Sequence, residues 1–246
     1  MQKERVVIGL EGTQQSGKST MLDYFRHVPG VHVVDEAAAF LIEQAVVKRG
    51  EEGRGIVAEP WFQEAVTNLQ DEREQEAFEI LDAPNSEVEI VIVERTKFSS
   101  TVFTTYLQRG YDGTSEEAEK VHPILDEWVQ SVRDGEYTIA LCNPDDVNEG
   151  DIENIAWEGE DKVEEMAIRK AIHETYVEVL GEENLPYLML EGNIADRASI
   201  LADHISEVTE GRIRIDVEPV LNREVQLEDV VINRIEGVTR PVEMGT

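Results

Sequence analysis

Residues Glu11-Gly12-Thr13-Gln14-Gln15-Ser16-Gly17-Lys18-Ser19-Thr20 carry the spacing GxxxxGK(S/T). Each slot has a chemical use. Gly12 and Gly17 allow the chain to turn so that backbone N–H groups, those of Thr13, Gln14, Gln15 and Ser16 among them, converge on phosphate oxygens. A helix opening at Lys18 would add the positive end of its dipole. Lys18 can reach the β- and γ-phosphates of a nucleoside triphosphate as a point charge, and the Ser19 hydroxyl, followed by Thr20, is suited to Mg²⁺. The chemistry implied is capture of a Mg-nucleotide by its phosphates.

Such a loop works only between a strand and a helix. The strand is supplied by Val6 to Leu10 and the helix by the segment carrying Met21, Leu22, Tyr24 and Phe25. Further strand candidates are Val31 to Val34, Val88 to Val93, Tyr137 to Leu141 and Leu185 to Leu190, separated by amphipathic stretches of helical period. Strands alternating with helices predict an α/β fold, a three-layer sandwich around a mostly parallel five-stranded sheet. The near-continuous apolar run Glu89 to Val93 fits a strand buried on both faces.

In such sheets ligands sit beyond the carboxyl ends of the strands. Two of those ends carry acids: Asp35-Glu36 after the second strand and Glu94-Arg95 after the third. One carboxylate there can hold Mg²⁺ directly or through water, and another can accept the proton of an attacking hydroxyl. The bland readings are N-terminal capping of the following helix for Asp35 and Glu36, and a surface ion pair for Glu94-Arg95. The acidic runs, Asp71 to Glu79 included, read as solvated helix faces.

Composition narrows the setting. With 22 basic and 53 acidic side chains the formal net charge is −31, which disfavours a binder of nucleic-acid phosphates. An acidity of this size is relieved by salt and points to a salt-rich cytoplasm, the alternative being an acidic mesophilic or viral protein with helices faced in Glu. A hydrophobic content of 41% supports a folded core, and no run reaches membrane-span length. The N-terminus shows no signal-peptide anatomy, so a cytoplasmic location is expected. The single Cys142 excludes a disulfide framework within the chain, and the five histidines show no metal-ligand spacing. Residues 143–161 form a polar, acidic segment that reads as a mobile lid. From residue 211 to 246 the alternation predicts a small β extension after a main domain spanning 1–210.

The ordered blocks VVIGLEGTQQSGKST, VVDEAAAFL, VIVERTKFSSTVFTTYL, YTIALCNPDD and YLMLEGNIADR resemble the P-loop nucleoside/nucleotide-kinase-like ATPases over roughly Arg5 to Ile205. Within them the chain is most similar to the group that includes the kinase domain of bifunctional nicotinamide-riboside kinases and many proteins known only as AAA family ATPases. The resemblance implies ATP (or GTP) and Mg²⁺ as cofactors and a nucleoside, nucleotide or similar small molecule as acceptor, with no membrane and a homodimer compatible. It also implies Lys18 and Ser19 on triphosphate and metal, Glu36 as base or metal-water ligand, and Glu94 on Mg²⁺. Arg95 would lie on the acceptor or its phosphate. Arg197 would lie near the nucleotide base, its bland alternative being a solvent-facing helix residue. One departure stands out: the lid segment contains no arginine, although Arg169 and Lys170 follow on the next helix. A nucleotide-binding switch or ATPase reporting to a partner therefore stays open as the second reading.

Overall fold

The computed structural model describes residues 6–14, 16–59, 61–110, 126–144 and 162–215. Gln15, most of the expected lid (145–161) and most of the expected C-terminal extension (216–246) lie outside them.

Five strands, β1 (Val6–Glu11), β2 (Val31–Val34), β3 (Ile90–Glu94), β4 (Tyr137–Cys142) and β5 (Tyr187–Leu190), form one sheet in the order β2-β3-β1-β4-β5. All four pairings are parallel. The fold is therefore α/β, as the alternation predicts. Around the sheet lie α1 (Lys18–Phe25), α2 (Ala37–Arg49), a 3₁₀ segment (Gly50–Ala58), α3 (Phe62–Asp82), α4 (Lys97–Gly110), α5 (Lys162–Glu182) and α6 (Ile194–Val208). Residues 126–133 are also helical.

The period-two alternation of side chains sends neighbouring strand residues into two separate cores. Val7, Val91, Val93, Ile139 and Leu141 pack with Phe98 and Val102 of α4, Trp128, and Ile172 and Tyr176 of α5. Phe98 and Trp128 are stacked with centroids 4.3 Å apart. On the other face Ile8, Leu10, Ile90 and Ile92 pack with Met21, Leu22 and Phe25 of α1 and Leu201 and Ile205 of α6. Each such fully buried side chain contributes about 1.5–3 kcal/mol. A satellite cluster of Ala37, Ile56, Phe62 and Val66 joins α2, the 3₁₀ segment and α3. Ile213 is buried in the second core, so the chain past 210 stays attached to the main body at least to that residue. Among the described residues no helix is long and apolar enough to cross a membrane.

Strand ends differ from the apolar runs because pairing decides them. β3 starts at Ile90, opposite Val31 and Val6, two residues later than the apolar run suggests. β5 starts at Tyr187, opposite Ile139, rather than at Leu185. At the other end, the Glu11–Leu141 register extends β1 by one residue and draws the Glu11 carboxylate inside.

The acidic stretch of α3 is not wholly a solvated face. Glu74 is 0% exposed, accepting from the Lys97 N–H at 3.0 Å and from the Tyr137 hydroxyl at 2.6 Å. Burial pushes its carboxyl up to about 7, and the Tyr137 hydroxyl is the leading influence opposing that rise. Between the ordinary value of 4.5 and about 7 the folded chain holds a proton that the unfolded chain has released. Stability from this group is therefore complete below that window and lost as pH rises through it, a change on the order of 3 kcal/mol. Urea unfolding of Glu74→Gln across the same pH range should lack this downward slope. An unchanged slope would assign the effect to another group.

Candidate active site

β1 ends at Glu11, and the chain then wraps the phosphate loop before entering α1. Gly12 has φ +136° and Gly17 φ +79°. A Cβ on Gly12 would meet the Cys142 carbonyl at 3.1 Å, and one on Gly17 would meet Ile194 at 3.2 Å, so both the backbone conformation and the space demand glycine. The expected strand–loop–helix context is present.

Lys18 is folded back into the loop rather than facing solvent. It is 4% exposed, with Nζ donating to the carbonyls of Thr13 (2.6 Å) and Gly12 (3.3 Å) and to Ser16 Oγ (3.1 Å). Burial, with the Arg95 charge nearby, lowers its amine to about 8. The Ser19 hydroxyl donates to Glu94 Oε1 at 2.5 Å. This juxtaposes a hydroxyl and a carboxylate, hard oxygen donors suited to Mg²⁺. Burial and the neighbouring Glu36 raise the Glu94 carboxyl, while Lys18 opposes that. Among the described residues no cluster of three or more His, Cys, Asp or Glu could hold a metal. A divalent ion at Ser19 and Glu94 would thus complete its shell with water and nucleotide oxygens, the usual habit of Mg²⁺.

The two strand ends meet. Arg95 Nη1 donates to Glu36 Oε1 at 2.5 Å, and its guanidinium lies 5.1 Å from the centre of the Phe103 ring. Neither bland reading holds. Glu36 occupies the N-cap position of α2 without a side-chain cap bond. Glu94 and Arg95 are 2% and 9% exposed, and the arginine pairs across the sheet with Glu36. Asp35 turns away, pairing with Arg26. Arg95 has φ +55°, a left-handed conformation costing about 1–2 kcal/mol in a non-glycine residue.

What holds that turn is a set of residues the sequence reading did not single out. Glu11, 0% exposed, accepts at Oε1 from the Thr96 N–H (3.0 Å) and hydroxyl (2.6 Å). Its Oε2 accepts from Ser99 (2.5 Å) and Tyr176 (3.2 Å). The Arg95 N–H donates to the Leu10 carbonyl at 3.0 Å. β1, α4 and α5 thus clamp the Glu94-Arg95 turn from behind. An acid immediately before the first glycine of the loop was the available signal for Glu11.

Two arginines brace the loop from outside. Arg197, 2% exposed, donates to the carbonyls of Ser16 (2.6 Å) and Asn143 (2.5 Å), so the solvent-facing alternative fails. It starts from the first turn of α6, whose N-terminus is fixed by an Asn193–Asp196 capping box. Arg169, 1% exposed on α5, donates to the Gln14 carbonyl at 3.1 Å, whereas Lys170 is exposed. By engaging carbonyls on the outer side of the loop, both arginines oppose its unwrapping.

A cavity of about 850 Å³ joins these parts. Gln14, Ser16, Gly17, Lys18, Ser19 and Thr20 line one end, and Glu36, Glu94, Arg95 and Thr96 the middle. The far chamber is bounded by Ile42, Phe62, Val66, Gln70, Ser100 and Phe103 from α2, α3 and α4. Gln70, another residue without a sequence signal, is 1% exposed and its Oε1 accepts from the Ala37 N–H at 3.0 Å.

No curated protein matches the sequence. Among solved structures, a deoxyadenosine kinase from M. mycoides, with dCMP and dCDP bound, superposes with a TM-score of 0.51 at 12% identity, covering 82% of this chain and all 100% of its own. Thymidylate kinase from Candida albicans superposes with a TM-score of 0.54 at 11% identity, covering 85% of this chain and 93% of its own. These likenesses establish the shared P-loop kinase fold. A family model described as an AAA domain matches residues 6–197, from the first strand through the loop-bracing Arg197, and the chain belongs to that family, as a P-loop ATPase of nucleotide-kinase-like fold.

Proposed function

We propose that the protein is a Mg-ATP-dependent phosphotransferase acting on a nucleoside, nucleotide or similar small acceptor. The observation that carries this reading is the single cavity with a phosphate loop at one end, the Glu36–Arg95 and Ser19–Glu94 pairs in the middle, and an apolar chamber beyond. A pure nucleotide switch has no need of the chamber. The names of the structural neighbours, both kinases of nucleosides or nucleotides, agree with it.

In this reading the loop amides and Lys18 hold the β- and γ-phosphates, and Ser19 and Glu94 hold the metal. Bound Mg²⁺ would neutralise charge on the phosphates and orient them. Arg95 holds Glu36 aimed, and Glu36 accepts the proton of the acceptor hydroxyl as it attacks. Positioning and charge supply most of the catalysis in such transfers. Arg197 braces the loop beside the nucleotide.

The second reading, a switch or slow ATPase, is favoured by the absence of any Lys or Arg in residues 145–161. ATP consumption measured with and without a panel of nucleosides and nucleotides, nicotinamide riboside included, separates the two. Acceptor-dependent turnover with a phosphorylated product is expected. Turnover indifferent to every acceptor selects the switch.

The acidic composition supports a salt-rich cytoplasm as the working environment. Ordinary screening is nearly complete once the Debye length reaches ~3 Å near 1 M salt. The melting temperature should nevertheless rise steeply from low salt and keep rising through molar KCl. A flat profile would remove the halophilic assignment.

A further inference from the structure

We infer, on the phosphotransferase reading above, that the acceptor is an uncharged alcohol carried on a heteroaromatic ring, in the class of a nucleoside, and that its 5′-monophosphate is discriminated against. The argument is an inventory of charge around the cavity. Among the described residues its wall carries three cations, Lys18, Arg95 and Arg197. Lys18 is wrapped in the loop by three acceptors, and Arg197 is spent on the Ser16 and Asn143 carbonyls. Among the described residues Arg95 alone borders the acceptor chamber, and Glu36 already occupies it at 2.5 Å.

On α3 and α4 the cations with described side chains, Arg73 and Lys97, are also engaged, and Lys48 and Arg49 at the far end of α2 are exposed and do not line the cavity. Arg73 donates to the Asp35 carbonyl at 3.0 Å and lies over the Phe40 ring, and Lys97 pairs with Asp71 at 2.6 Å. The middle of the cavity therefore presents two carboxylates, Glu36 and Glu94, against one arginine, and a metal ion at Glu94 would offset only that carboxylate. A phosphate dianion entering here would have to take Arg95 from Glu36 and leave a part-buried carboxylate beside it unpaired. A neutral hydroxyl needs no such exchange, because it donates to the carboxylate that Arg95 already holds in place.

The chamber walls fit the rest of such a molecule. Phe62, Val66, Ile42 and Phe103 provide apolar surface for a flat ring. With Gln70 Oε1 tied to the Ala37 N–H, its amide has a defined orientation, and Nε2 has no partner among the described residues. The Ser100 hydroxyl is likewise unpartnered among them. A buried amide donor on an apolar wall matches a ring edge bearing a nitrogen or carbonyl acceptor.

The test is calorimetric titration of the full chain with adenosine, guanosine, cytidine and thymidine and with the 5′-monophosphate of each. The phosphate loop is saturated beforehand with Mg²⁺ and a non-hydrolysable ATP analogue, so that only the acceptor chamber is read. At least one nucleoside should bind ~10-fold or more tightly than its own monophosphate, the low end of what like-charge juxtaposition costs a wrong partner. The preference should persist in molar KCl, which screens the protein's general negative charge but not a contact pair. Glu36→Gln, which releases Arg95, should narrow it. A monophosphate that binds as tightly as its nucleoside overturns the inference, as does a preference that vanishes in salt or is unmoved by Glu36→Gln. Product analysis with ATP separates the two levels. Conversion of a monophosphate to a diphosphate leaves the phosphotransferase standing and overturns the nucleoside assignment. Absence of nucleoside binding together with acceptor-independent ATP hydrolysis overturns both.

Discussion

Replacing Lys18 with alanine is expected to lower Mg-nucleotide turnover by at least ~10²–10³-fold, the usual worth of a preorganised charge or donor on the transition state. Because Nζ is held by two loop carbonyls and the Ser16 hydroxyl, the native amine is already poised in the loop before nucleotide arrives. Lys18 and Ser16 line the cavity, so the space left by the amine opens onto it, and the melting temperature at neutral pH should move little. A second readout follows from the amine's lowered proton affinity. An unfolded lysine keeps its proton up to about 10.5, whereas the buried one releases it at about 8. Across that interval the unfolded chain binds more protons, so the stability of the native protein rises with pH on account of Lys18. Lys18→Ala should lose this upward slope while keeping its fold. Wild-type turnover in the variant would dismiss the phosphate-site assignment, and an unaltered slope would dismiss the burial of the amine.

The second large effect separates the two carboxylates. Glu94 lies against the Ser19 hydroxyl, so Glu94→Gln should raise the Mg²⁺ concentration needed for activity and leave residual turnover recoverable at high metal. Glu36 is engaged by Arg95 and makes no contact with Ser19, so Glu36→Gln should bind Mg-ATP nearly normally. Its phosphoryl transfer should fall by ~10²–10⁴-fold, nearer the low end because a loose transition state leans weakly on a base. Metal titration followed by single-turnover measurement distinguishes these outcomes. Equal loss of metal binding in both variants would place both acids on the metal and remove the base role from Glu36.

Much of this site is legible in the linear sequence because its information is local. The GxxxxGK(S/T) spacing is a backbone requirement within ten residues, and acids at strand ends are marked by the apolar runs before them. The parallel sheet follows from alternation, since β-branched runs separated by helices leave crossover connections as the natural solution. Helix α3 is legible for the same reason, its apolar positions recurring at helical spacing from Phe62 to Leu81.

What the sequence could not settle is who pairs with whom across distance. Glu36 and Arg95 are 59 positions apart, and their contact exists because β2 and β3 lie side by side; Glu11 and Tyr176 are 165 apart, and theirs exists because α5 packs on the sheet. Composition makes Glu74 one acid among many on an acidic helix, yet packing of α3 against the Tyr137 strand and the start of α4 removes that residue alone from water. The same holds for Lys18, Arg169 and Arg197, whose side chains look suited to solvent or phosphate until the fold surrounds them with carbonyls. Residue type and spacing determined that a P-loop would sit at the end of a parallel sheet. Burial, which depends on every element packed around a side chain, decided which charges are free to meet a ligand and which are spent holding the site together.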